Sequence, residues 1–408
     1  MTPGNTPLST ASAQPVSVAS PQRTNRRLQA LLSLDDFEAA ARRHLPRPVF
    51  GYMSSYAETG QAYDDNRRSF ADYAFVPRVM TDVSSRSLST SLFGHTYSAP
   101  FGMSPLGLSA LSAYRGDIVL ARAAAEEHVP MIMSGSSLIR LEDVAEQCPN
   151  AWFQAYLPGD PAQIDALVER VKRSAFKVMV ITVDTPTPPN SENTRRMGFS
   201  APLRPGLSLA WQGLTHPRWL MGTFLNTVVR HGMPHFENNY ATRGAPILSP
   251  SVLRDFSERG HLNWTHLRAI REQWPGTLVV KGILNAEDAR IACELGVDGI
   301  IVSNHGGRQL DGAVAPLRVL PQIVEACPSI PVMLDGGVRR GTDVLKAVAL
   351  GARMVFVGRP FGYAAAVGGE AGVRHAVGLL RSEVSRNMAM LGVTQVDQLE
   401  AARHLVRR

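Results

Sequence analysis

Residues 302–312 carry the side chains best suited to chemistry in this sequence of 408 residues. The stretch reads Val-Ser-Asn-His-Gly-Gly-Arg-Gln-Leu-Asp-Gly and contains His305 and Arg308. An imidazole exchanges protons near neutral pH, and a guanidinium is a permanent cation that binds carboxylates with paired hydrogen bonds. The two glycines between them allow a sharp turn, so both side chains could face one pocket. An ordinary polar loop is the competing interpretation of this stretch.

Two glycine-rich segments near the end of the chain have the composition of an anion site. Residues 335–341 read Asp-Gly-Gly-Val-Arg-Arg-Gly, and residues 358–360 read Gly-Arg-Pro. Glycine amides and guanidinium groups together bind phosphate, which indicates a phosphorylated cofactor. The competing interpretation is that Arg339 and Arg340 begin a solvated helix face.

The elements that must position these residues alternate along the chain after residue 99. Eight short apolar runs are separated by helix-like spacers, which predicts βα units and a parallel sheet. Eight alternations favour an α/β fold of the (β/α)8 TIM barrel type, with a doubly wound sheet as the alternative. The predicted strands are residues 100–103, 130–133, 152–156, 178–183, 278–280, 299–302, 331–334 and 354–357.

The remaining segments complete the predicted domain layout. The start of the chain is rich in Ser, Thr, Pro and Ala and has no apolar signal-peptide core, which predicts a disordered tail. The span after the fourth strand is too long for an ordinary loop and is predicted to be an insertion. The predicted segments are a tail over 1–30, a helical extension packed on the barrel over 31–98, the barrel over 99–392 with its insertion over 185–275, and a C-terminal tail over 393–408.

Residues 200–245 of the insertion mix Trp, Leu, Pro and Arg. Such a segment could lie on a membrane surface, cover the barrel mouth as a lid, or form an oligomer contact. No window approaches 18 uninterrupted apolar residues, so no transmembrane helix is predicted.

Composition narrows the class of protein. Hydrophobic residues make up 44% and charged residues 19%, which is typical of a soluble globular enzyme, and the net charge of +7 indicates anionic partners. No basic run with interleaved aromatic residues is present, so no nucleic-acid binding is predicted. Cys148, Cys293 and Cys327 are far apart in sequence, which argues against a disulfide framework and predicts a cytoplasmic protein with no metal site.

Polar residues follow all eight predicted strands. A TIM barrel carries its active site at these carboxyl ends, so the residues there are candidates for binding and catalysis. They are Ser104 with Pro105, Ser134, Gln154 with Tyr156, Thr182 with Asp184, Lys281, Ser303 through Arg308, Asp335 with Gly337, and Gly358 with Arg359.

The combined motifs resemble the FMN-dependent 2-hydroxy acid oxidase and dehydrogenase family, which includes glycolate oxidase, respiratory lactate dehydrogenase and mandelate dehydrogenase. The resemblance covers about residues 34–392 and rests on residues 303–309 and 335–341, supported by 182–184 and 280–282. It implies FMN as cofactor, oxidation of a lactate- or mandelate-like 2-hydroxy acid to the 2-oxo acid, electron transfer to a quinone or another acceptor, and a homotetramer. Residues 230–234 look like the membrane-associated mandelate dehydrogenases, which implies peripheral contact with the inner face of the membrane.

The resemblance also implies a role for each matched residue. His305 is the implied base that takes a proton while a hydride equivalent passes to flavin N5, and Asp184 orients it. Arg308 binds the substrate carboxylate, and Tyr156 and Tyr52 donate hydrogen bonds to substrate oxygens. The implied cofactor-binding residues are Pro105, Ser134, Gln154, Thr182, Lys281, Ser303, Asp335, Gly337, Arg339, Gly358 and Arg359.

The chain departs from the family at Ser191, where relatives have a second arginine for the carboxylate. A carboxylate with one charged partner in place of two binds more weakly by roughly 1.5–3 kcal/mol unless another group compensates. Arg195 or Arg196 could supply that group. The alternatives are FMN-dependent oxidation of an atypical or non-carboxylate hydroxy substrate, and a flavin-binding barrel without catalysis.

Overall fold

Eight parallel strands form the centre of the computed structural model, which describes residues 26–249 and 259–408. The barrel strands are buried along nearly their whole length, as apolar parallel strands covered on both faces must be. The strands of the described residues are β1 (Tyr73–Phe75), β2 (Thr90–Leu92), β3 (His95–Tyr97), β4 (Phe101–Met103), β5 (Ile132–Ser134), β6 (Trp152–Ala155), β7 (Val178–Thr182), β8 (Thr277–Ile283), β9 (Gly299–Val302), β10 (Val332–Asp335), β11 (Met354–Val357) and β12 (Leu405–Arg407).

The barrel is closed. Its strands follow one another in the order β4, β11, β10, β9, β8, β7, β6 and β5, and a parallel bridge between Met103 and Met131 joins the first to the last. The predicted (β/α)8 barrel is therefore confirmed. The predicted bounds differ most from the observed ones in the fifth barrel strand, which the sequence predicts over 278–280. The observed strand, β8, extends to Ile283 because its pairing continues through the polar Lys281, which is buried.

Alternate side chains of the strands fill the barrel interior. Val178 and Val180 of β7 pack inside with Trp152 of β6, while the residues between them face the surrounding helices. The antiparallel hairpin β2–β3 covers the amino ends of the strands: a Cβ on Gly299, the first residue of β9, would lie 2.8 Å from the Phe93 ring. The carboxyl ends at the opposite side are left for the polar residues.

Helices surround the barrel, and α8 shows how the sequence forms them. Asp160 accepts a hydrogen bond from the Gln163 amide at 3.0 Å as the N-cap, and Pro161 occupies the first turn. The apolar residues recur at helical spacing and bury one face: Ile164, Leu167, Val168 and Val171.

The helices differ widely in length, and the longest contains a kink at Gly369. Short 3-10 segments cover Ser69–Asp72 and Val396–Gln398, and a π segment covers Leu220–Leu225. The α-helices of the described residues are α1 (Arg26–Gln29), α2 (Leu34–His44), α3 (Arg47–Met53), α4 (Gln61–Arg68), α5 (Ser109–Ser112), α6 (Gly116–Glu126), α7 (Leu141–Gln147), α8 (Pro161–Arg173), α9 (Glu192–Arg196), α10 (Leu207–Leu214), α11 (Pro217–Trp219), α12 (Asn226–His231), α13 (Trp264–Gln273), α14 (Ala286–Glu294), α15 (Pro316–Ala326), α16 (Gly341–Ala349), α17 (Arg359–Met390) and α18 (Ala401–His404).

Both ends of the described chain pack against the rest of the protein. The disordered tail is predicted over 1–30, and residues 1–25 of it lie outside the described residues. The prediction is wrong for the remainder, because Arg26–Gln29 form the helix α1. Leu28 is buried there, and a Cβ on Gly368 would lie 2.8 Å from its side chain. At the other end, β12 pairs with β1 in antiparallel register, with Val406 opposite Ala74.

The predicted insertion over 185–275 contains helices of two kinds. The last of them, α13, packs beside α8, and Gln273 donates a hydrogen bond to Asp165 at 2.8 Å, as neighbouring barrel helices do. The earlier helices α9 to α12 lie before it. Trp219 anchors them to the barrel because its indole N–H donates to the Leu111 carbonyl at 2.8 Å.

Candidate active site

The predicted site residues meet at one cavity at the carboxyl ends of the barrel strands. The cavity has a volume of about 280 Å³. Ser134, Gln154, Thr182 and Ser303 are buried at the strand ends, and Asp184 contacts His305. The predicted residues that line the cavity itself are Tyr52, Pro105, Tyr156, Lys281, His305, Arg308, Asp335, Gly337, Arg339, Gly358 and Arg359.

His305 is held between a carboxylate and a phenol. Its Nδ1 lies 2.9 Å from Oδ1 of Asp184, and its Nε2 lies 3.2 Å from the Tyr156 hydroxyl. The residue has a left-handed φ of 60°, and its backbone N–H donates to Oγ of Ser303 at 3.0 Å. One ring nitrogen therefore faces the carboxylate, and the other faces the cavity, which is the arrangement of a general base.

Asp184 is an ionised carboxylate at this position. Burial alone would raise its pKa, but its interactions with His305 and the charge of Lys281 outweigh burial and hold the pKa below its usual value. Its backbone lies against Gly282, where an added Cβ would be 2.7 Å from the Asp184 Cβ and where φ is 110°. A glycine after Lys281 thus allows the carboxylate to approach the histidine.

Arg308 lies beside the N-terminal extension. Its Nη1 donates to the Tyr52 carbonyl at 3.0 Å, and its guanidinium carbon is 5.0 Å from the Tyr52 ring centroid. The Tyr52 hydroxyl reaches the loop after β4, because a Cβ on Gly107 would lie 2.6 Å from it. The helix α3 therefore brings a phenol to the cavity opposite the barrel strands.

A buried ion pair joins the ends of β8 and β10. Nζ of Lys281 lies 3.1 Å from Oδ2 of Asp335 and donates to Oγ of Ser303 at 2.8 Å. The same Asp335 oxygen accepts a hydrogen bond from Ser104 at 2.6 Å. These contacts satisfy the lysine charge, as a buried cation requires.

The arginines at β10 and β11 bring positive charge to the other end of the cavity. Burial, followed by repulsion from Arg308, lowers the pKa of Arg359 to about 10. Its Nη2 donates to the carbonyls of Ser55 at 2.6 Å and Gly306 at 3.0 Å. Arg339 is buried nearby and pairs with Asp35 at 3.6 Å. An anion placed here would relieve the repulsion between these cations.

Several buried polar atoms at the strand ends test whether the site fits FMN. A flavin ring system carries both hydrogen-bond donors and acceptors, its ribityl chain carries hydroxyls, and its phosphate is an anion. The amide at the end of β6 and the hydroxyl at the end of β7 suit the polar atoms of the ring. The arginines that follow β10 and β11 suit the phosphate. Among the described residues, the atoms that lack a hydrogen-bond partner include Gln154 Nε2, Thr182 Oγ1, Asp335 Oδ1, Arg339 Nη2 and Arg359 Nε. The residues present therefore fit FMN.

The surroundings of Ser191 differ from the sequence expectation. Ser191 lines the cavity, but Arg195 and Arg196 are exposed and lie outside the lining. Arg196 instead pairs with Glu192 one helical turn away. The cavity receives another cation, Arg259, which is only 6% exposed. Sequence reasoning missed Arg259 because it belongs to no motif and follows no predicted strand.

Asp311, near the end of the 302–312 stretch, accepts hydrogen bonds from the backbone of the N-terminal extension. Its Oδ2 accepts from the Thr59 and Gly60 amides at 2.9 and 3.1 Å, and its Oδ1 accepts from the Ala62 amide at 3.1 Å. These amides precede or begin α4, which has unsatisfied N–H groups at its start. The contact fixes the loop after β9 to the N-terminal extension.

Comparison with known proteins identifies the family. The family model described as FMN-dependent dehydrogenase matches residues 41–407. An L-lactate dehydrogenase of Pseudomonas entomophila (strain L48) is 38% identical over 373 residues, which cover 89% of this chain and 95% of that protein. The (S)-mandelate dehydrogenase of Pseudomonas putida is 35% identical over 373 residues, covering 91% of this chain and 93% of that protein.

Solved structures of similar enzymes also superpose on this chain. The crystal structure of the monotopic membrane protein (S)-mandelate dehydrogenase superposes with a TM-score of 0.83 at 34% identity, covering 93% of this chain and all (100%) of that one. Mandelate oxidase with 3,3-difluoro-2-hydroxy-3-phenylpropionic acid gives a TM-score of 0.76 at 32% identity, covering 93% of this chain and 99% of that one. The chain therefore belongs to the family of FMN-dependent 2-hydroxy acid dehydrogenases, and its cofactor is FMN.

Proposed function

We propose that this dehydrogenase oxidises a lactate- or mandelate-like 2-hydroxy acid to the 2-oxo acid, with His305 as the base. The observation that carries the proposal is the position of His305 between Asp184, at 2.9 Å, and a cavity that Arg308 also lines. When bound, FMN would supply the oxidising power as the acceptor of a hydride equivalent.

The side chains around His305 divide the work. His305 takes a proton from the substrate through Nε2, and the ionised Asp184 stabilises the imidazolium that forms. Arg308 binds the substrate carboxylate with its guanidinium fork. Tyr156 and Tyr52 donate hydrogen bonds to substrate oxygens, and the 3.2 Å distance from the Tyr156 hydroxyl to His305 Nε2 supports its place beside the reacting atoms.

The cofactor would be held by residues from every barrel strand. The proposal rests on their burial around one cavity and on the unsatisfied atoms among them. Ser134, Gln154, Thr182, Lys281 and Ser303 would contact the ring and upper ribityl chain, with Pro105 packed against it. Asp335, Gly337, Arg339, Gly358 and Arg359 would bind the lower ribityl chain and the phosphate.

Anaerobic reduction of the bound flavin tests the proposal. The purified holoenzyme is mixed with lactate, glycolate, mandelate or longer 2-hydroxy acids, and we expect at least one to bleach the flavin absorbance. The His305→Ala variant should keep its flavin and lose bleaching, because it lacks the imidazole that takes the proton. Retained reduction in this variant would refute the assigned base.

Ser191 favours a second candidate, a hydroxy substrate without a free carboxylate. Reduction by a 2-hydroxy amide or ester but by no 2-hydroxy acid would support this candidate over the first. A flavin that no hydroxy compound reduces would support a barrel without catalysis.

We also propose that the protein binds the inner face of a membrane through the insertion. Side chains spaced four and three residues apart on α10, and four apart along the helical run 220–231, are exposed although they are apolar. Arg204, Arg218 and Arg230 are exposed in the same segment and would contact anionic lipid. No helix within residues 26–249 or 259–408 has the length and apolar content needed to cross a bilayer. The apolar surface consists of Leu207, Trp211, Leu214, Met221, Leu225 and Val229.

Co-sedimentation with phosphatidylglycerol vesicles tests this membrane contact. We expect the holoenzyme to sediment with the vesicles and the triple variant Leu207→Gln/Trp211→Gln/Val229→Gln to remain in solution. A control variant, Val79→Gln/Met80→Gln, removes exposed apolar side chains outside the surface and should still sediment. Equal sedimentation of both variants would contradict the proposal. A change in mass by light scattering in the triple variant alone would favour an oligomer contact, and the same measurement checks the predicted homotetramer.

We also propose that a quinone accepts the electrons, because a membrane location would bring the enzyme close to membrane quinones. Reduced holoenzyme should be reoxidised rapidly by a soluble quinone analogue and slowly by oxygen. Rapid reoxidation by oxygen alone would refute a quinone as the acceptor.

A further inference from the structure

Arg259 brings into the active-site cavity a guanidinium that has no role in the proposed function. It precedes α13 in the chain and lines the cavity together with Ser191, His305 and Arg308. Although it carries a charge, the residue is only 6% exposed. A guanidinium that faces a cavity can bind an anion there with paired hydrogen bonds.

Tyr156 connects Arg259 to the reacting centre. The guanidinium carbon of Arg259 is 5.6 Å from the centroid of the Tyr156 ring, and the hydroxyl of the same ring is 3.2 Å from Nε2 of His305. Arg308 lies instead against the ring of Tyr52. Two of the guanidinium groups that line the cavity, those of Arg259 and Arg308, are therefore packed on different tyrosines, and His305 contacts the tyrosine next to Arg259.

The burial of Arg259 also shows in its electrostatics. Burial lowers the pKa of the guanidinium, and the phenols of Tyr156 and Tyr240 partly oppose this effect. An arginine still keeps its charge at neutral pH, so a carboxylate beside it would gain a charged hydrogen-bonding partner.

We propose that Arg259 binds the substrate carboxylate together with Arg308, in place of the arginine that Ser191 lacks. The inference rests on the proposed oxidation of a 2-hydroxy acid. It makes Arg259 a determinant of the preference for acids over neutral hydroxy compounds. The second cation enters from the residues before α13 and not from α9, whose Arg195 and Arg196 are exposed.

Binding of oxalate to the oxidised holoenzyme tests the inference independently of turnover. Oxalate has carboxylates but no hydrogen to give up, and its binding is followed by the change in flavin absorbance. We expect Arg259→Met to raise the dissociation constant of oxalate about 10-fold to 100-fold and to raise KM for the acid substrate similarly. The turnover number should change much less, because His305 and Asp184 remain.

Three further variants make the test specific. Adding Ser191→Arg to Arg259→Met should restore most of the affinity, because it returns a guanidinium to the cavity from another backbone position. Arg259→Lys keeps the charge without the fork and should fall between the native protein and Arg259→Met. Arg195→Met and Arg196→Met are the controls and should bind oxalate as the native protein does.

An unchanged oxalate dissociation constant in Arg259→Met would overturn the inference. Failure of Ser191→Arg to restore affinity would also overturn it, since Arg259 would then act only by packing on Tyr156. Failure of the proposed function gives a different result, in which no 2-hydroxy acid reduces the flavin of the native protein at all.

Discussion

At the scale of single residues, the pair of Asp184 and His305 determines what the cavity can do. The carboxylate is ionised and 2.9 Å from the imidazole, so it fixes which ring nitrogen carries a proton. The other ring nitrogen, Nε2, carries no proton and faces the cavity as a base. Asp184 itself is not part of the cavity lining, which separates its effect on His305 from any contact with substrate.

We expect Asp184→Asn to lower the turnover number by about 100-fold or more with little change in KM. The amide has no charge to stabilise the imidazolium and can hold the ring in the wrong tautomer. Steady-state kinetics with the best 2-hydroxy acid measure both constants, and Asp165→Asn, at an exposed position, is the control. A large rise in KM with an unchanged turnover number would show that Asp184 binds substrate instead.

At the scale of elements, the loop after β9 is held in place by close contact with the N-terminal extension. Gly307 has a φ of 74°, and a Cβ there would lie 2.4 Å from the backbone nitrogen of Tyr63. The Gly307 carbonyl also accepts a hydrogen bond from the Ala57 amide at 3.0 Å. The backbone that carries His305 and Arg308 therefore depends on α4 for its shape.

Alanine substitutions at two glycines of this loop should separate the cost of a left-handed backbone from the cost of losing the close contact with α4. Gly312 has a similar φ of 75°, but the nearest atom to a Cβ there is the Gln61 side-chain oxygen at 3.7 Å. We expect Gly312→Ala to cost roughly 1–2 kcal/mol of unfolding free energy, from the left-handed backbone alone. Gly307→Ala should cost clearly more, because two backbones must move apart.

Urea unfolding of the two alanine variants measures these costs, and the flavin spectrum reports whether the cofactor is retained. Equal losses would mean that the loop and α4 do not need their close contact. A larger loss for Gly312→Ala would contradict the packing described for this loop.

At the scale of the whole molecule, one buried acid reduces stability at neutral pH. Asp117 at the start of α6 is 1% exposed, and its Oδ2 has no hydrogen-bond partner among the described residues. Burial raises its pKa to about 6, and the nearby hydroxyls of Ser109 and Ser137 only partly oppose this effect. The folded state therefore binds a proton more tightly than the unfolded state does, and stability falls as pH rises from about 4 to above 6.

Asp117→Asn should stabilise the protein at pH 7 by at most about 3 kcal/mol, the free energy of a pKa shift of roughly two units. The advantage should disappear as the pH falls to about 4, where Asp117 is protonated in both states. Unfolding free energies of native and variant proteins at pH 7, 5.5 and 4 measure the difference, with Asp165→Asn as the control. A difference that does not depend on pH would show that folding does not shift the pKa of Asp117.

The sequence by itself determined the barrel, the order of its strands and most of the residues around the cavity. Each strand is a short apolar run, and the polar residue that follows it must lie at the carboxyl end of the barrel. A local pattern therefore predicts a position in space, as for Lys281, His305 and Asp335. The family resemblance followed from the same local motifs.

Only the tertiary structure decided contacts between segments that are distant in sequence. Arg259 reaches the cavity, while Arg195 and Arg196, next to Ser191 in sequence, point elsewhere. The sulfur atoms of Cys293 and Cys327 lie 2.8 Å apart because α14 and α15 are neighbours. Such contacts depend on how whole helices and irregular segments pack, and side-chain periodicity carries no information about that packing.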